Sequence, residues 1–225
     1  MKESRIDFFS KIENKYNIGL KRNRPIILRF DARNTTKNKE INLLDETKDS
    51  FSYALKETCK ILSLKYQCLI YVACDEINII IKDTKRFLKN FKSNLAQEIT
   101  TTIGQEISFY FHQYYKKDFI LFAGRCFSVY EDNINSYLIY RKHTNIPVLT
   151  IYFLKRHSGI DIHKKSYLEL DKYAKENLEL YNKRTLYQSE GIIYLKGKEY
   201  SIEDYLTNNI KETIILNNKK KDLDI

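Results

Sequence analysis

Tryptophan is absent, and the 225 residues include only 6 Gly and 2 Pro, a poverty that excludes collagenous and loop-dominated architectures. No apolar run approaches the roughly 18 residues that a membrane-spanning helix needs. The opening stretch, MKESRIDFFSKIENKYN, lacks the apolar core of a secretory signal, so a cytoplasmic protein with no membrane partner is expected. The four cysteines, Cys59, Cys68, Cys74 and Cys126, form no C-x-x-C pair, which argues against a zinc knuckle or a thioredoxin-like site. Cys68 and Cys74 fall within apolar stretches, where a thiol behaves as a small buried hydrophobe. Likewise His112, His143, His157 and His163 show no zinc-ligand spacing.

Apolar and aromatic residues are plentiful. They make up 43% and 13% of the chain, the latter from 18 Tyr and 12 Phe, enough to exclude disorder over most of its length. Charge is unbalanced: 39 Lys and Arg stand against 29 Asp and Glu, leaving +10. The excess gathers in Lys21–Arg22–Arg24, Arg29–Arg33–Lys37–Lys39, Lys82–Lys85–Arg86–Lys89–Lys92, Lys116–Lys117, Lys155–Arg156–His157 and Lys164–Lys165. Clusters of this kind attract phosphates and raise encounter rates with nucleic acid. Any single one also suits an ordinary solvated face.

Residues 25–31 read as a short buried strand ending in Asp31. Asp45 is expected to cap a helix whose face carries Phe51, Ala54, Leu55, Thr58, Ile61 and Leu62. Residues 67–73 and 77–82 form a hairpin with Cys74, Asp75 and Glu76 at its tip. A second helix is expected over 84–113, its stripe running through Phe87, Phe91, Leu95, Ile99, Ile103 and Ile107. A strand over 119–122 should break at Gly124 and resume over 126–130. This order predicts an α+β fold, a ferredoxin-like or palm-like antiparallel βαββαβ sheet with helices on one face. The expected organisation is a catalytic core over 1–130, a packed helical and hairpin elaboration over 131–216, and a polar tail over 217–225. Within the elaboration, 132–142 and 166–182 look helical, Pro147 should interrupt any helix, and 191–200 should be a hairpin turning at Lys196–Lys198. Tyr110, Phe111, Tyr114 and Tyr115 suit packing better than base stacking.

In that topology Asp31 and Asp75 meet at one edge of the sheet. Two nearby carboxylates repel unless a cation lies between them. Magnesium prefers oxygen ligands and bridges carboxylates to nucleotide phosphates, and two such ions about 4 Å apart suit nucleotidyl transfer. Spacing alone leaves another reading open, in which Asp31 is a cap and Asp75–Glu76 a polar turn.

Several segments together resemble the tRNA-His guanylyltransferase family. Ile27-Leu-Arg-Phe-Asp-Ala-Arg-Asn34 is similar to its strand followed by Asp-Gly-Arg-Asn. The run from Tyr71 to Glu76 is similar to its Tyr-x-x-Ser-Asp-Glu hairpin. Phe122-Ala-Gly-Arg125 matches Phe-Asp-Gly-Arg, Tyr137-Leu-Ile-Tyr-Arg141 matches Tyr-Phe-x-Trp-Arg, and Gly191 to Gly197 matches a late hairpin. The resemblance implies a palm-type enzyme that adds nucleotides to the 5′ end of RNA in the 3′–5′ direction. It implies two Mg2+ ions held by Asp31, the Ala32 carbonyl and Asp75, with Glu76 supporting them and Arg33 and Asn34 bordering a nucleoside triphosphate. Lys37, Lys85 and Lys89 are expected near that triphosphate, and Arg125, Arg141, Lys155 and Arg156 on bound RNA, with tRNA as the leading partner. A homodimer or homotetramer is implied as well. The chain departs from the pattern at Ala32, Thr35, Thr36 and Asn94. After Arg141 it lacks the family's acidic residue, so strict tRNA-His specificity is not expected. Two rivals follow: a palm-domain synthase that joins or cyclises nucleotides into a signal, and a non-catalytic RNA-binding module.

Overall fold

In the computed structural model, which describes residues 18–33, 35, 41–163 and 165–208, strand β1 (Ile26–Ala32) sorts its side chains by alternation. Ile26, Leu28, Phe30 and Ala32 enter one apolar cluster, while Ile27 enters a second on the reverse face, the face shared by Arg29 and Asp31. Asn34, Lys37 and the tail over 217–225 lie outside the described residues. Strands β2 (Leu69–Ala73), β3 (Glu76–Ile81) and β4 (Phe122–Ser128) follow, and the hairpin β5 (Ile192–Leu195) and β6 (Lys198–Tyr200) completes the sheet. The order is β4-β1-β3-β2-β5-β6, antiparallel throughout. Its first four strands reproduce the expected ferredoxin-like arrangement.

Helices α1 (Phe51–Tyr66) and α3 (Ala96–Tyr114) cover the face of Phe30, burying Phe51, Leu55, Leu62, Ile103, Ile107 and Phe111. Every residue of β2 and β3 is buried, so the second face needs cover too. It comes from the elaboration: Ile134 and Leu138 of α4 (Asn133–His157), with Ile202 and Tyr205, close over Ile27, Leu69, Tyr71 and Ile80. The remaining helices are α2 (Thr84–Leu88), α5 (Tyr167–Asn177), α6 (Glu179–Asn182) and α7 (Leu186–Ser189). Among the described residues no helix is long and apolar enough to cross a membrane.

Several boundaries differ from expectation. Ser50, not Asp45, caps α1 by accepting the Tyr53 N–H, and Asp45 instead accepts from the Thr47 backbone. The stretch expected as one helix over 84–113 is split into α2 and α3. Between them the chain pairs with residues 18–20: Leu20 N–H donates to the Asn94 carbonyl at 2.8 Å, and Ala96 N–H to that of Ile18 at 2.9 Å. Those groups are then not available to continue a helix. Residues 166–182 divide at Leu178, whose backbone is extended. In contrast, α4 runs 25 residues straight through Pro147. The proline removes one helical hydrogen bond, a loss of about 3 kcal/mol or more. Burial of Leu149, Phe153 and Leu154 against Leu44, Leu170 and Tyr181 offsets it.

Strand β4 also passes unbroken through Gly124. A Cβ there would stand 2.3 Å from Phe30 Cε1 and 2.6 Å from Thr100 Cγ2, so the glycine serves close packing of the edge strand against α3. The final hairpin turns at Lys196 and Gly197, both at positive φ (51° and 74°), as a two-residue turn requires. Gly124→Ala is expected to destabilise the fold by about 1–3 kcal/mol in urea unfolding. Gly159→Ala, where a Cβ meets nothing within 4 Å, serves as the near-neutral control.

Candidate active site

Register puts Asp31 opposite Glu76, and the two-residue turn Cys74–Asp75 places Asp75 directly beside that pair. Cys74 takes φ 54°, with its side chain buried among Leu149, Phe153 and Leu170 and its carbonyl accepting the Tyr187 hydroxyl. Ala32 N–H donates to the Asp75 carbonyl at 2.9 Å, tying the end of β1 to the turn. The Thr35 hydroxyl donates to Asp75 Oδ2. Two acids from distant parts of the chain, Asp31 and Asp75, therefore stand at neighbouring strand ends.

Burial raises the Asp75 carboxyl above its ordinary range, and the charges of Asp31 and Glu76 push the same way against the hydrogen bond from Thr35. The sign follows from linkage. At neutral pH the ionised Asp75 opposes folding, and that penalty fades as pH falls through its raised native value towards the unfolded one.

The other two acids are matched by cations. Asp31 Oδ1 accepts from Arg29 at 2.6 Å, and Arg125 lies 4.0 Å from Oδ2. Glu76 is buried: Arg141 Nε donates to Oε1 at 2.8 Å, the same guanidinium donates to Oε2, and Asn78 donates to Oε1 at 2.7 Å. Arg29 Nε sits 2.7 Å from Glu76 Oε2 as an ion pair, its N–H not aligned for a hydrogen bond. Tyr137 donates to Asn78 at 2.6 Å, and Asn145 reaches Glu76 Oε1 at 3.4 Å. This network joins α4 to β1 and β3.

Some expected site residues thus lie elsewhere. Arg141, expected on RNA, is 4% exposed and paired with Glu76, whose own oxygens are occupied by arginines and Asn78. Lys85 and Lys89, expected near the triphosphate, follow β3 at its opposite end. Ile26 pairs with Ile81 there, five residues along β1 from Asp31, or about 17 Å of strand. Lys155 and Arg156 are exposed at the end of α4, where Arg156 donates to the Ile41 carbonyl at 3.0 Å. Arg33 is exposed and its N–H donates to Leu121; Arg125, 65% exposed, stands opposite Arg29 on β4. Arg29, Thr35, Asn78, Tyr137 and Asn145 escaped the sequence reading as site residues. Arg29 carried a usable signal, since residues two apart on a strand share a face, and Tyr137 opens one of the segments that carry the resemblance.

Among the described residues, no three His, Cys, Asp or Glu side chains are grouped to hold a metal. The oxygen donors at the strand ends are instead the carboxylates of Asp31 and Asp75, and their chemistry fits magnesium, which takes one or two carboxylates and completes its shell with water and phosphate. A cleft of 870 Å3 between α3 and β4, lined by Phe30, His112 and Phe119, opens on the other face of the sheet.

The fold and the acid pair define a palm-like α+β protein. No family model and no curated protein matches the chain. Solved structures share its fold. A bacterial tRNA(His) guanylyltransferase (Thg1)-like protein in complex with ATP superposes at TM-score 0.65 with 21% identity, covering 86% of this chain and 85% of that one. The bacterial Thg1-like protein in complex with GTP gives 0.66, 21%, 86% and 84%. The tRNA(His) guanylyltransferase of Saccharomyces cerevisiae gives 0.63, 16%, 86% and 95%.

Two stability predictions follow from the acids. Arg141→Ala leaves Glu76 buried with its main partner gone and should cost about 3–5 kcal/mol in urea unfolding. Asp75→Asn should raise the melting temperature of magnesium-free protein at pH 7, with the gain shrinking as pH is lowered towards 4.

Proposed function

We propose that this chain is a magnesium-dependent nucleotidyltransferase that adds nucleotides in the 3′–5′ direction to the 5′ end of an RNA, with tRNA the leading substrate. The observation that carries the reading is the convergence of Asp31 and Asp75 at adjacent strand ends beside the basic side chains of Arg29 and Arg125. The fold shared with proteins solved with ATP and with GTP supports a nucleoside triphosphate substrate.

Asp31 and Asp75 would hold magnesium, with the Ala32 carbonyl adjacent; the ion supplies charge neutralisation for phosphoryl transfer and activation of the attacking oxygen. The chain's own groups bind and orient. Thr35 fixes the rotation of the Asp75 carboxylate, and Arg29 does the same for Asp31. Arg125 and Arg33 provide positive charge for phosphates at the strand ends. Glu76, neutralised by Arg141 and Arg29, anchors β1 to β3 so that the two aspartates keep their spacing. In the reaction, the 3′-hydroxyl oxygen of the incoming nucleotide gives up its proton to water and forms a bond to the α-phosphorus of the RNA's 5′-triphosphate. The bond from that phosphorus to pyrophosphate breaks.

Asp31→Ala and Asp75→Ala should each abolish magnesium-dependent incorporation of labelled nucleoside triphosphate into RNA while the protein still melts cooperatively. Wild-type rates in both variants would overturn the assignment. Labelled oligonucleotide products formed without RNA would overturn the choice of acceptor.

A further inference from the structure

The basic residues displaced from the acid pair form a site of their own. Residues 18–24 and 82–96 are clamped together at the end of the sheet opposite Asp31. Leu20 N–H donates to the Asn94 carbonyl at 2.8 Å, the Asn94 amide donates back to Leu20 at 3.0 Å, and the Thr84 hydroxyl donates to the Arg22 carbonyl. The clamp brings Arg22, Lys85 and Lys89 around a groove of 420 Å3 with Leu88 and Phe91. Lys21 and Lys92 are exposed in the same two segments. None of these five cations meets a carboxylate among the described residues. Asp83, the acid nearest in sequence, accepts the Arg86 backbone N–H at 3.0 Å as the cap of α2. Cations held together with no carboxylate partner among the described residues repel one another, and an anion relieves that repulsion.

Two cations, Arg24 and Arg125, lie between the groove and the acid pair. Arg24 and Tyr130 flank the groove-side ends of β1 and β4, with the guanidinium 4.1 Å over an aromatic ring that is 60% exposed. Arg125 stands midway along β4, and Asp31 and Ala123 mark the far end. The distance between groove and acid pair selects the ligand class. A mononucleotide whose phosphates sit at Asp31 and Asp75 cannot reach the groove along about 17 Å of strand. A polynucleotide, taking the axial spacing of about 3.4 Å per phosphate on each strand of duplex DNA as a guide, covers it in about five steps.

We propose that the groove of Arg22, Lys85 and Lys89 grips the sugar-phosphate backbone of the RNA substrate about five nucleotides from the reacting end, with Tyr130 and Arg125 lining the way. The assignment rests on the nucleotidyltransferase reading for what lies at the other end, but the groove is tested by binding alone. The measurement is fluorescence anisotropy of the full chain with a labelled RNA hairpin of about 24 nucleotides across a series of salt concentrations. Lys85→Glu combined with Lys89→Glu should weaken hairpin binding about tenfold or more and reduce the slope of log K against log salt by about 1.8, two phosphate contacts' worth. GTP affinity should hold. Lys85→Gln with Lys89→Gln gives the same loss of slope with less change in charge, and melting curves confirm folding of both. Asp31→Ala should bind the hairpin on the wild-type slope even though turnover is lost. An unchanged slope in both double variants overturns the groove, as does a matching fall in GTP affinity, which would return these lysines to the triphosphate. Absent turnover by wild-type protein with an intact slope effect would defeat the enzyme reading and leave the groove standing.

Discussion

Glu76 is the fixed point of the molecule's chemistry. Its carboxylate is buried with Arg141 from the helix on one side and Arg29 from the first strand on the other. An unpaired ion in that position would cost several kcal/mol, so the pairing ties strand, hairpin and helix to one another. Asp31 and Asp75 depend on this arrangement without sharing its fate. One is held by the far side of Arg29, the other sits on the tight turn just before Glu76. Three acids within one corner of a sheet are thereby divided: Glu76 is neutralised internally, Asp31 is partly matched, and Asp75 has no cationic partner among the described residues. A divalent cation with phosphate would complete the balance.

The core sheet was legible in the sequence because its signals are local. The short apolar run of β1, the β-rich runs on either side of Cys74–Glu76, and the helical face of Phe51 to Leu62 are each carried by neighbouring residues. Failures arose where distant segments settled the matter. Nothing near Phe91 announces that residues 18–20 will take its neighbours' backbone groups, and nothing near Pro147 announces Leu44 and Tyr181. Gly124 was read as a break because its cause, the Phe30 ring and Thr100, lies on other elements.

The site was legible in the same uneven way. Asp31 and Asp75 stood out as carboxylates ending strands, and strand order then brought them together. Charge alone said little about individual cations. Lys85 and Lys89 follow the hairpin in sequence, yet an antiparallel strand carries the chain away from its own tip. Arg141 looked like a surface cation until the helix that carries it was laid over Glu76. A motif can therefore preserve residue types while periodicity hides which face they occupy.

Among the described residues the sheet has two borders with no strand beyond them, and they differ in character. On one side β6 is only three residues long, two of them charged, which offers too little backbone to recruit a neighbour. On the other, β4 is seven residues long, and its outer hydrogen-bonding groups would template association if left bare. Arg125, 65% exposed at the middle of that strand, sets a positive charge beside the border, so a second copy of the strand approaching it meets like charge. The same guanidinium that lies 4.0 Å from Asp31 thus also disfavours pairing of β4 with a second copy of itself.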